Sequence, residues 1–489
     1  MKPYKIIAGL LTALAFTGCT KDFENINTNP NNPSVTRPEY HLTEAITQTA
    51  YAYAENGFAR RPAALGRYIT LIRNNDYELF RWTAVDWSDI YQRAMIVKTM
   101  QQEAAGTKQP AYVTAGKVLM AFNIAYLTDL YGDVPYSKAL QSVENGNIKP
   151  TYDRQEDIYS SLFTLLKDAN TELKNNGTGI DAKADAMFAG DALKWRKLAN
   201  SLRLRMLLRC SKKYASAWTE MQEILGNKTE YPIMESNADN AEVPYLGVKK
   251  DDSWAGGPLN MIDNDFQKTK ASKELVDALL SRNDPRLELW IAPVSSTDGA
   301  TVDKNRYVGI PHAYTNPGDY NGGESHQSTL SSFFRQNKPA VFKASLMLYA
   351  EVCFIVAEAM QQGKVNMAGN TAEDMYNNGI KSSMEYYGLE AEAQQRNYYD
   401  QPVVKYNGTL EQLITQKWIA MTFRGAEGWF DFRRTGYPAF VVGPMAFQKT
   451  FPVRYAWPAT EQDVNLDNYH TAVKVFGPDD INTKMWYLK

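Results

Sequence analysis

Apolar residues recur at helical spacing through most of the chain, and this spacing predicts a mostly α-helical fold. The patterns cover residues 38–56, 86–105, 111–130, 343–361 and 371–387. Alternation of the strand type is scarce, and short turns separate successive helical patterns. We therefore expect an α-helical bundle built of tetratricopeptide-like helix pairs, although the sequence contains no clean repeat consensus.

Three further helices are marked by residues that commonly begin or end a helix. Asp153 followed by Glu156 resembles a capping box, and the Asn-Asn-Gly at 175–177 is a stop signal for the helix that follows. Asp191 is placed to begin a second helix, because its side chain can accept hydrogen bonds from the first turn. Thr409, with a glutamine three residues later, suits the start of a third.

The amino terminus has the pattern of an export signal rather than that of a membrane span. Lys2 and Lys5 precede an uncharged run, Ile6–Thr17, and the small residue Gly18 follows it. The run is far shorter than the roughly 20 apolar residues that a helix needs to cross a bilayer. We therefore expect residues 1–18 to be a signal peptide.

Cys19 stands where a lipoprotein signal places its acylated cysteine. The sequence Phe16-Thr17-Gly18-Cys19 resembles the bacterial lipobox, in which the chain is cut before the cysteine and the thiol is acylated. The alternative is an ordinary secreted protein that is cut nearby. Lipid anchoring is stable with two or more acyl chains, since each buried methylene contributes about 0.8 kcal/mol. We expect lipidation at Cys19, a lipidated tether over 19–37 and one ligand-binding domain over 38–489.

Charge and cysteine content narrow the functional class. The full chain has 53 Lys and Arg against 55 Asp and Glu, and the signal peptide removes two lysines and no acids. Nucleic-acid binding normally requires a basic patch or stripe, so we expect no nucleic-acid partner.

Cys210 and Cys353 both lie in apolar helical patterns. An exported protein can form disulfides, but buried free thiols are the interpretation we favour for these two.

Two long irregular tracts, about 227–270 and 291–340, lie between the helical patterns and are rich in Gly, Asn, Asp, Pro and aromatic residues. Loops of this length in a compact protein are usually functional or disordered. The chain contains 30 Tyr and 10 Trp, and the tracts hold several of them. Their aromatic content favours function, and neither tract has the composition of a flexible linker between domains.

Aromatic and amide side chains in three segments suit a site for sugar or peptide. A sugar ring stacks its C–H face on Trp or Tyr, and its hydroxyls need polar partners at the rim. The segments are Arg73–Trp87, Tyr245–Asn260 and a weaker one near residue 320. The candidate ligand-binding residues are Asn75, Tyr77, Trp82, Asp252, Trp254, Tyr314, Tyr320 and Asn321. Each could instead anchor its own loop, and Trp87 is assigned to the core because it lies four residues before Tyr91 at a helix start.

No enzyme signature is found. The sequence has no GxSxG, P-loop or dinucleotide motif, its four histidines lack zinc spacing, and no EF-hand pattern is present, which leaves only a loop-bound calcium open. A glycosidase needs two carboxylates about 5–9.5 Å apart, and so many acids would supply such a pair by chance. Glu351 and Glu358 could form an acid pair, but structural ion pairs with Arg203, Arg205 or Arg209 are the expectation.

The tract "GWFDFRRTGYP" at 428–438 could clamp an anionic ligand through Asp431, Arg433 and Arg434. The interpretation we favour is that its aromatic residues pack while its charges satisfy one another and the nearby backbone.

Six segments in order resemble the SusD/RagB family of outer-membrane lipoproteins, in particular its SusD-like subgroup. They are "FENINTNPNNP" after Cys19, "YGDVPYSKAL" at 131–140, "WRKLANSLRLRMLLR" at 195–209, "NDPRL" at 283–287, "LYAEVCFIVAEA" at 348–359 and "GWFDFRRTGYP" at 428–438. The resemblance covers nearly the whole chain and implies the family's helical fold with tetratricopeptide-like pairs, which agrees with the periodicity.

The resemblance also implies a function. Members look like lids over a SusC-like TonB-dependent transporter, anchored in the outer membrane by lipid and exposed at the cell surface. Asp22 and Glu24 resemble the acidic export signal of Bacteroidetes lipoproteins. Most relatives bind oligosaccharides, but some bind peptides. We expect a binding protein without a cofactor that delivers oligosaccharides to the transporter. The alternatives are oligopeptide capture and a structural surface protein without cargo.

Overall fold

Helices form most of the computed structural model, which describes residues 37–73 and 76–489. The α-helices are α1 Pro38–Ala59, α2 Arg61–Leu65, α3 Asp76–Leu79, α4 Ser88–Gly106, α5 Pro110–Tyr131, α6 Ser142–Asn145, α7 Gln155–Asn176, α8 Ala192–Cys210, α9 Ala217–Gly226, α10 Asp263–Lys268, α11 Lys273–Ser281, α12 Arg286–Trp290, α13 Tyr349–Gln361, α14 Ala372–Tyr386, α15 Glu390–Gln395, α16 Leu410–Ala420, α17 Glu427–Thr435, α18 Thr460–Val464 and α19 Leu466–Phe476. The predicted mostly α-helical class is confirmed.

The long helices pack in consecutive pairs, as the periodicity predicts. Helix α4 packs on α5, α5 on α7 and α7 on α8, while α13 packs on α14. Helix α1 lies across α4 and α5. In α7 the residues spaced by three and four, Ile158, Leu162 and Leu166, are fully buried, so the apolar stripe read from the sequence is the face that meets α5 and α8.

Two of the three predicted helix caps are present in the structure, and the third is not. Asp191 caps α8 by accepting hydrogen bonds from the backbone N–H of Leu193 and Lys194, and Thr409 caps α16. Asp153 does not cap α7, so that prediction is wrong. Arg154 is the N-cap, and the Asp153 carboxylate instead accepts hydrogen bonds from the backbone N–H groups of 136 and 137, which ties the preceding loop to the helix.

Short strands make up three two-stranded antiparallel sheets within the described residues. They are β1 Ile69–Leu71 with β5 Thr269–Ala271, β2 Val134–Pro135 with β3 Tyr152–Asp153, and β4 Ala241–Val243 with β6 Ala344–Met347. The last pair corrects the helix predicted over 343–361. Residues 344–347 pair with β4, and the helix begins only at Tyr349. An apolar run entering a helix has no periodic mark that separates a buried strand from a first helical turn.

Buried ion pairs join the helices at the centre of the bundle. Glu351 accepts two hydrogen bonds from the Arg205 guanidinium, as expected. Glu358 pairs with Arg434 rather than with an arginine of α8. Asp431 lies 2.7 Å from the Lys417 ammonium and 2.9 Å from Arg434. Asp431 and Arg434 of the tract at 428–438 are therefore paired inside the fold with each other and with Lys417 and Glu358. They do not form a clamp for an anionic ligand.

Two cysteines lie within the described residues. Cys210 and Cys353 are buried and free, as predicted, and burial raises the pKa of the Cys353 thiol to about 12. Across residues 37–73 and 76–489, the structure has no helix of the length and apolarity that crossing a membrane requires. Cys19 and the predicted signal peptide lie outside the described residues.

Candidate ligand-binding cleft

A cleft of about 1000 Å³ lies between α1 and the loop 245–265. Helix α1 contributes one polar wall and the loop contributes the other, with Arg60 at one end. The polar and aromatic residues that line the cleft include Thr47, Gln48, Tyr51, Glu55, Arg60, Tyr245, Asp252 and Asn260. This volume lies at the upper end of the range found for small-molecule sites, and an extended ligand fits it.

Two tyrosines from opposite walls stack inside the cleft. The rings of Tyr51 and Tyr245 have centroids 4.8 Å apart and an interplanar angle of 21°. The Tyr51 hydroxyl donates to the carbonyl of Pro244 at 2.9 Å, which fixes the ring. Burial and the nearby Asp252 carboxylate raise the pKa of Tyr51 to about 12, so its hydroxyl stays neutral at physiological pH. Tyr245 is buried behind Tyr51, so the half-buried ring of Tyr51, held in place by this stacking, is the apolar surface that the cleft presents beside its polar groups.

The wall opposite α1 is rigid because its backbone is hydrogen-bonded. Asp252, half-buried, accepts from the backbone N–H of Val248 and Lys249. The Asn260 amide donates to the carbonyls of Lys250, Ser253 and Trp254. Asp252 lines the cleft, and its carboxylate holds the turn; its predicted role in binding ligand stays a prediction.

Trp254 anchors this wall and cannot stack on a ligand, so its assignment as a binding residue is wrong. The side chain is fully buried, and its indole N–H donates to the carbonyl of Phe334 at 3.1 Å. Its ring packs against Phe58 and Phe342, with centroids 4.6 and 4.5 Å away. The following Gly256 is required for close approach, because a Cβ there would lie 2.7 Å from the Phe334 carbonyl oxygen.

The first predicted segment reaches the end of the cleft through Arg60. Arg60 pairs with Glu55 of the cleft wall, and the Tyr77 hydroxyl lies near enough to Arg60 to help raise the pKa of its guanidinium. The next residue, Arg61, holds its guanidinium 4.9 Å from the centroid of the Tyr77 ring. Tyr77 is half-buried and lies outside the lining of the cleft, so its role in binding ligand stays a prediction. Asn75 lies outside the described residues.

Trp82 is half-buried and lies outside the lining of the cleft, and its role in binding ligand stays a prediction. Its indole N–H donates to the carbonyl of Tyr77 at 3.1 Å. The ring meets Trp429 and Tyr455 edge to face, with centroids 6.4 and 5.7 Å away. Trp87 is buried, as predicted, and packs on Tyr131.

The third segment holds its own loop together. Tyr320 and Asn321 are buried. The Asn321 amide donates to the carbonyls of Asp303 and His326, and its oxygen accepts from the backbone N–H of 302 and 303. Both were predicted to bind ligand, and burial removes them from contact with it. Tyr314 is half-buried and meets Tyr320 edge to face at 5.0 Å, so Tyr314 alone of the three stays available.

Tyr51 is not among the residues predicted to bind ligand, because it lies within a predicted amphipathic helix. A signal was present, since Gln48, Tyr51 and Glu55 are spaced by three and four residues and therefore share one helix face. An aromatic residue between polar residues on such a face is unusual for a stripe that only packs.

No group of three or more His, Cys, Asp or Glu side chains is placed to hold a metal ion in residues 37–73 and 76–489.

Comparison with known proteins gives consistent results. The family described as SusD-like, "Starch-binding associating with outer membrane", matches residues 30–458. A SusD homologue from Bacteroides fragilis is 25% identical, with a TM-score of 0.79 over 93% of this chain and 99% of that one. A chitin-binding protein is also 25% identical, with a TM-score of 0.76 over 93% of this chain and 100% of that one. A chitin-binding SusD homolog from Flavobacterium johnsoniae, 21% identical over 92% of this chain and 99% of that one, shares the fold with a TM-score of 0.74. Among curated sequences none is significantly similar to this chain.

Proposed function

The chain belongs to the SusD-like family, and from that premise we propose that it is a cell-surface binding protein that captures oligosaccharides in the cleft between α1 and the loop 245–265. Family members associate with the outer membrane and include starch- and chitin-binding proteins. The proposed role is binding, and we expect other proteins to cleave the glycan.

The stacked pair of Tyr51 and Tyr245 is the observation that carries the assignment. A pyranose ring offers an apolar C–H face that needs a rigid aromatic surface and hydroxyls that need polar partners beside it. Tyr51 is fixed by its hydrogen bond to the Pro244 carbonyl, and Gln48, Glu55 and Arg60 line the same cleft. Rigid aromatic residues are effective binding groups because they lose little entropy on contact.

The cleft favours a saccharide over a peptide. Extended peptides bind best by pairing with a free strand edge. One wall here is a helix, whose backbone groups pair internally. In the other wall the N–H of Gly247 donates to the carbonyl of Asp252 and that of Trp254 to the carbonyl of Asn337, at 3.0 and 2.8 Å. The helix backbone and these two N–H groups are thus not free to pair with a peptide, so we expect the lining side chains to contact the ligand, and their polar groups suit sugar hydroxyls.

Anchoring and delivery belong to the same proposal. The motif Phe16–Cys19 supports lipidation at Cys19, which would fix the protein to the outer membrane at the cell surface. Membership of the family supports delivery of the captured glycan to a SusC-like TonB-dependent transporter. Such a lid would form a stable complex with the barrel, whose interface we expect to exceed about 2,000 Å².

A glycan array beside a panel of oligopeptides tests the class of cargo. The detergent-solubilised protein should bind a defined set of neutral glycans and none of the peptides. Binding to peptides alone would replace the proposal by oligopeptide capture. Binding to neither set would favour a structural surface protein.

A further inference from the structure

A second groove, of about 350 Å³, lies between α14 and the segment from α15 to residue 406. It shares no lining residue with the cleft. Its walls include Asn377, Lys381, Gln394, Tyr399, Asp400 and Tyr406. Its volume is at the lower end of the range for small-molecule sites, so a short part of a ligand fits it.

Polar side chains line both walls at helical spacing. Glu373, Asn377 and Lys381 lie four residues apart in α14 and therefore share one face. Glu390 and Gln394 do the same in α15, where the Gln394 amide donates to the Glu390 carboxylate at 3.0 Å. The groove thus presents amide and carboxylate groups from two fixed helices, which suits the hydroxyl groups of a sugar.

Two half-buried tyrosines are held in fixed positions in the same groove. The Tyr399 hydroxyl donates to the Glu390 carboxylate, and burial together with Glu390 raises the pKa of Tyr399. The Tyr406 hydroxyl donates to the side-chain oxygen of Gln361 at 3.1 Å, and its ring packs on Tyr376 at 5.2 Å. Fixed rings beside a row of polar groups are the same combination that the cleft contains.

The charges of the groove favour an uncharged ligand. Glu373, Glu390 and Asp400 oppose Lys381 and Lys405, so neither sign dominates. Lys381 also lies 3.8 Å from Glu385 on its own helix. A site for an anionic or cationic ligand would show an excess of the opposite charge, because such an excess raises the local concentration of ligand.

We propose that the groove between α14 and α15 is a second saccharide-binding site, which holds a short stretch of the neutral glycan whose main contact is the cleft. This inference rests on the proposed function. Two sites on one protein can engage one polysaccharide together. The second contact then forms at high effective concentration and strengthens binding to polymer far more than binding to short oligosaccharides.

Affinity electrophoresis in native gels that contain starch or glycol chitin tests the groove. Tyr399→Ala should weaken retardation of the full-length protein in the gel that retards the wild type, with a dissociation constant for polymer raised about threefold or more. Its affinity for a short oligosaccharide of the same sugar, measured by calorimetry, should stay unchanged. Gln394→Ala should act in the same direction, while the adjacent exposed Gln395→Ala serves as the matched control because residue 395 is not in the groove.

The outcomes separate the two sites. Unchanged retardation of both Tyr399→Ala and Gln394→Ala, in folded protein, would overturn the groove and leave the cleft intact. Loss of polymer binding in these variants with no effect of Tyr51→Ala would support the groove and overturn the cleft. A wild-type protein that neither polymer retards would contradict the groove.

Discussion

At the scale of single residues, the aromatic side chains of the loops divide into anchors and exposed surfaces. Trp254, Tyr320 and Asn321 look like binding residues in the sequence because polar and glycine residues surround them. The structure buries all three. A polar neighbourhood along the chain says nothing of what packs on a side chain from distant segments. Phe334 and Phe342, about eighty residues from Trp254, decide its environment.

Replacing Trp254 by alanine should destabilise the protein. The ring is fully buried between Phe58 and Phe342, and deletion of a buried Trp typically costs about 3–5 kcal/mol. Urea unfolding followed by circular dichroism measures the loss. Leu259→Ala, in the same loop but 45% exposed, is the control and should change little. An unfolding free energy of Trp254→Ala equal to that of the control would contradict the anchor role.

At the scale of elements, the helices and their consecutive pairing were predicted well, whereas the partners of the buried carboxylates were predicted only in part. The stripes of α1, α4, α5, α7 and α8 follow from local spacing, which the sequence displays directly. Glu351 pairs with Arg205 as expected, whereas Glu358 pairs with Arg434 of α17. Which helix lies opposite a buried carboxylate depends on the packing of the whole bundle, and short-range periodicity contains no such information.

Acid should weaken the bundle through Asp431. Burial alone would raise the pKa of this carboxyl, but Lys417 and Arg434 outweigh burial and hold its pKa well below the usual range. A lowered pKa in the folded state stabilises the protein fully above the unfolded value, about 3.9. That stability is lost as pH falls from about 4 towards the folded pKa.

The Asp431→Asn variant tests this account. At pH 7 it should unfold about 3–5 kcal/mol more easily, because Lys417 and Arg434 lose a buried partner. Below pH 4 the difference from wild type should shrink, since the Asp431 carboxyl then takes up a proton in the unfolded chain while it stays ionised in the folded protein. Urea midpoints at pH 7, 5, 4 and 3 give the loss of stability at neutral pH and its change with acid. The exposed Asp467→Asn in α19 is the control. A constant difference across this range would contradict the low pKa.

At the scale of the whole molecule, the family resemblance predicted more than the residue patterns did. Fold class and family are confirmed over residues 30–458. The cleft itself could not be found from the sequence, because its two walls, α1 and the loop 245–265, lie about two hundred residues apart. Of the residues predicted to bind ligand, Asp252 lines the cleft, and Tyr77 lies outside its lining.

Attachment to the membrane should depend on Cys19. The thiol is required for acylation, so Cys19→Ala should move the protein from the membrane fraction to the soluble fraction. The body should stay folded, because residue 19 precedes the described domain. Fractionation with a blot measures the shift, and circular dichroism checks the fold. Full membrane retention of the variant would argue against lipid anchoring through Cys19.

The central claim is that a glycan binds in the cleft against Tyr51, and isothermal titration of Tyr51→Ala with the preferred oligosaccharide from the array tests it most directly. Removing an aromatic binding residue typically costs more than about 1 kcal/mol, so we expect an affinity about tenfold lower than that of the wild type. Tyr40→Ala, on the same helix but 68% exposed and outside the cleft, should bind as the wild type does. Wild-type affinity in a folded Tyr51→Ala protein would contradict the account and place the glycan elsewhere.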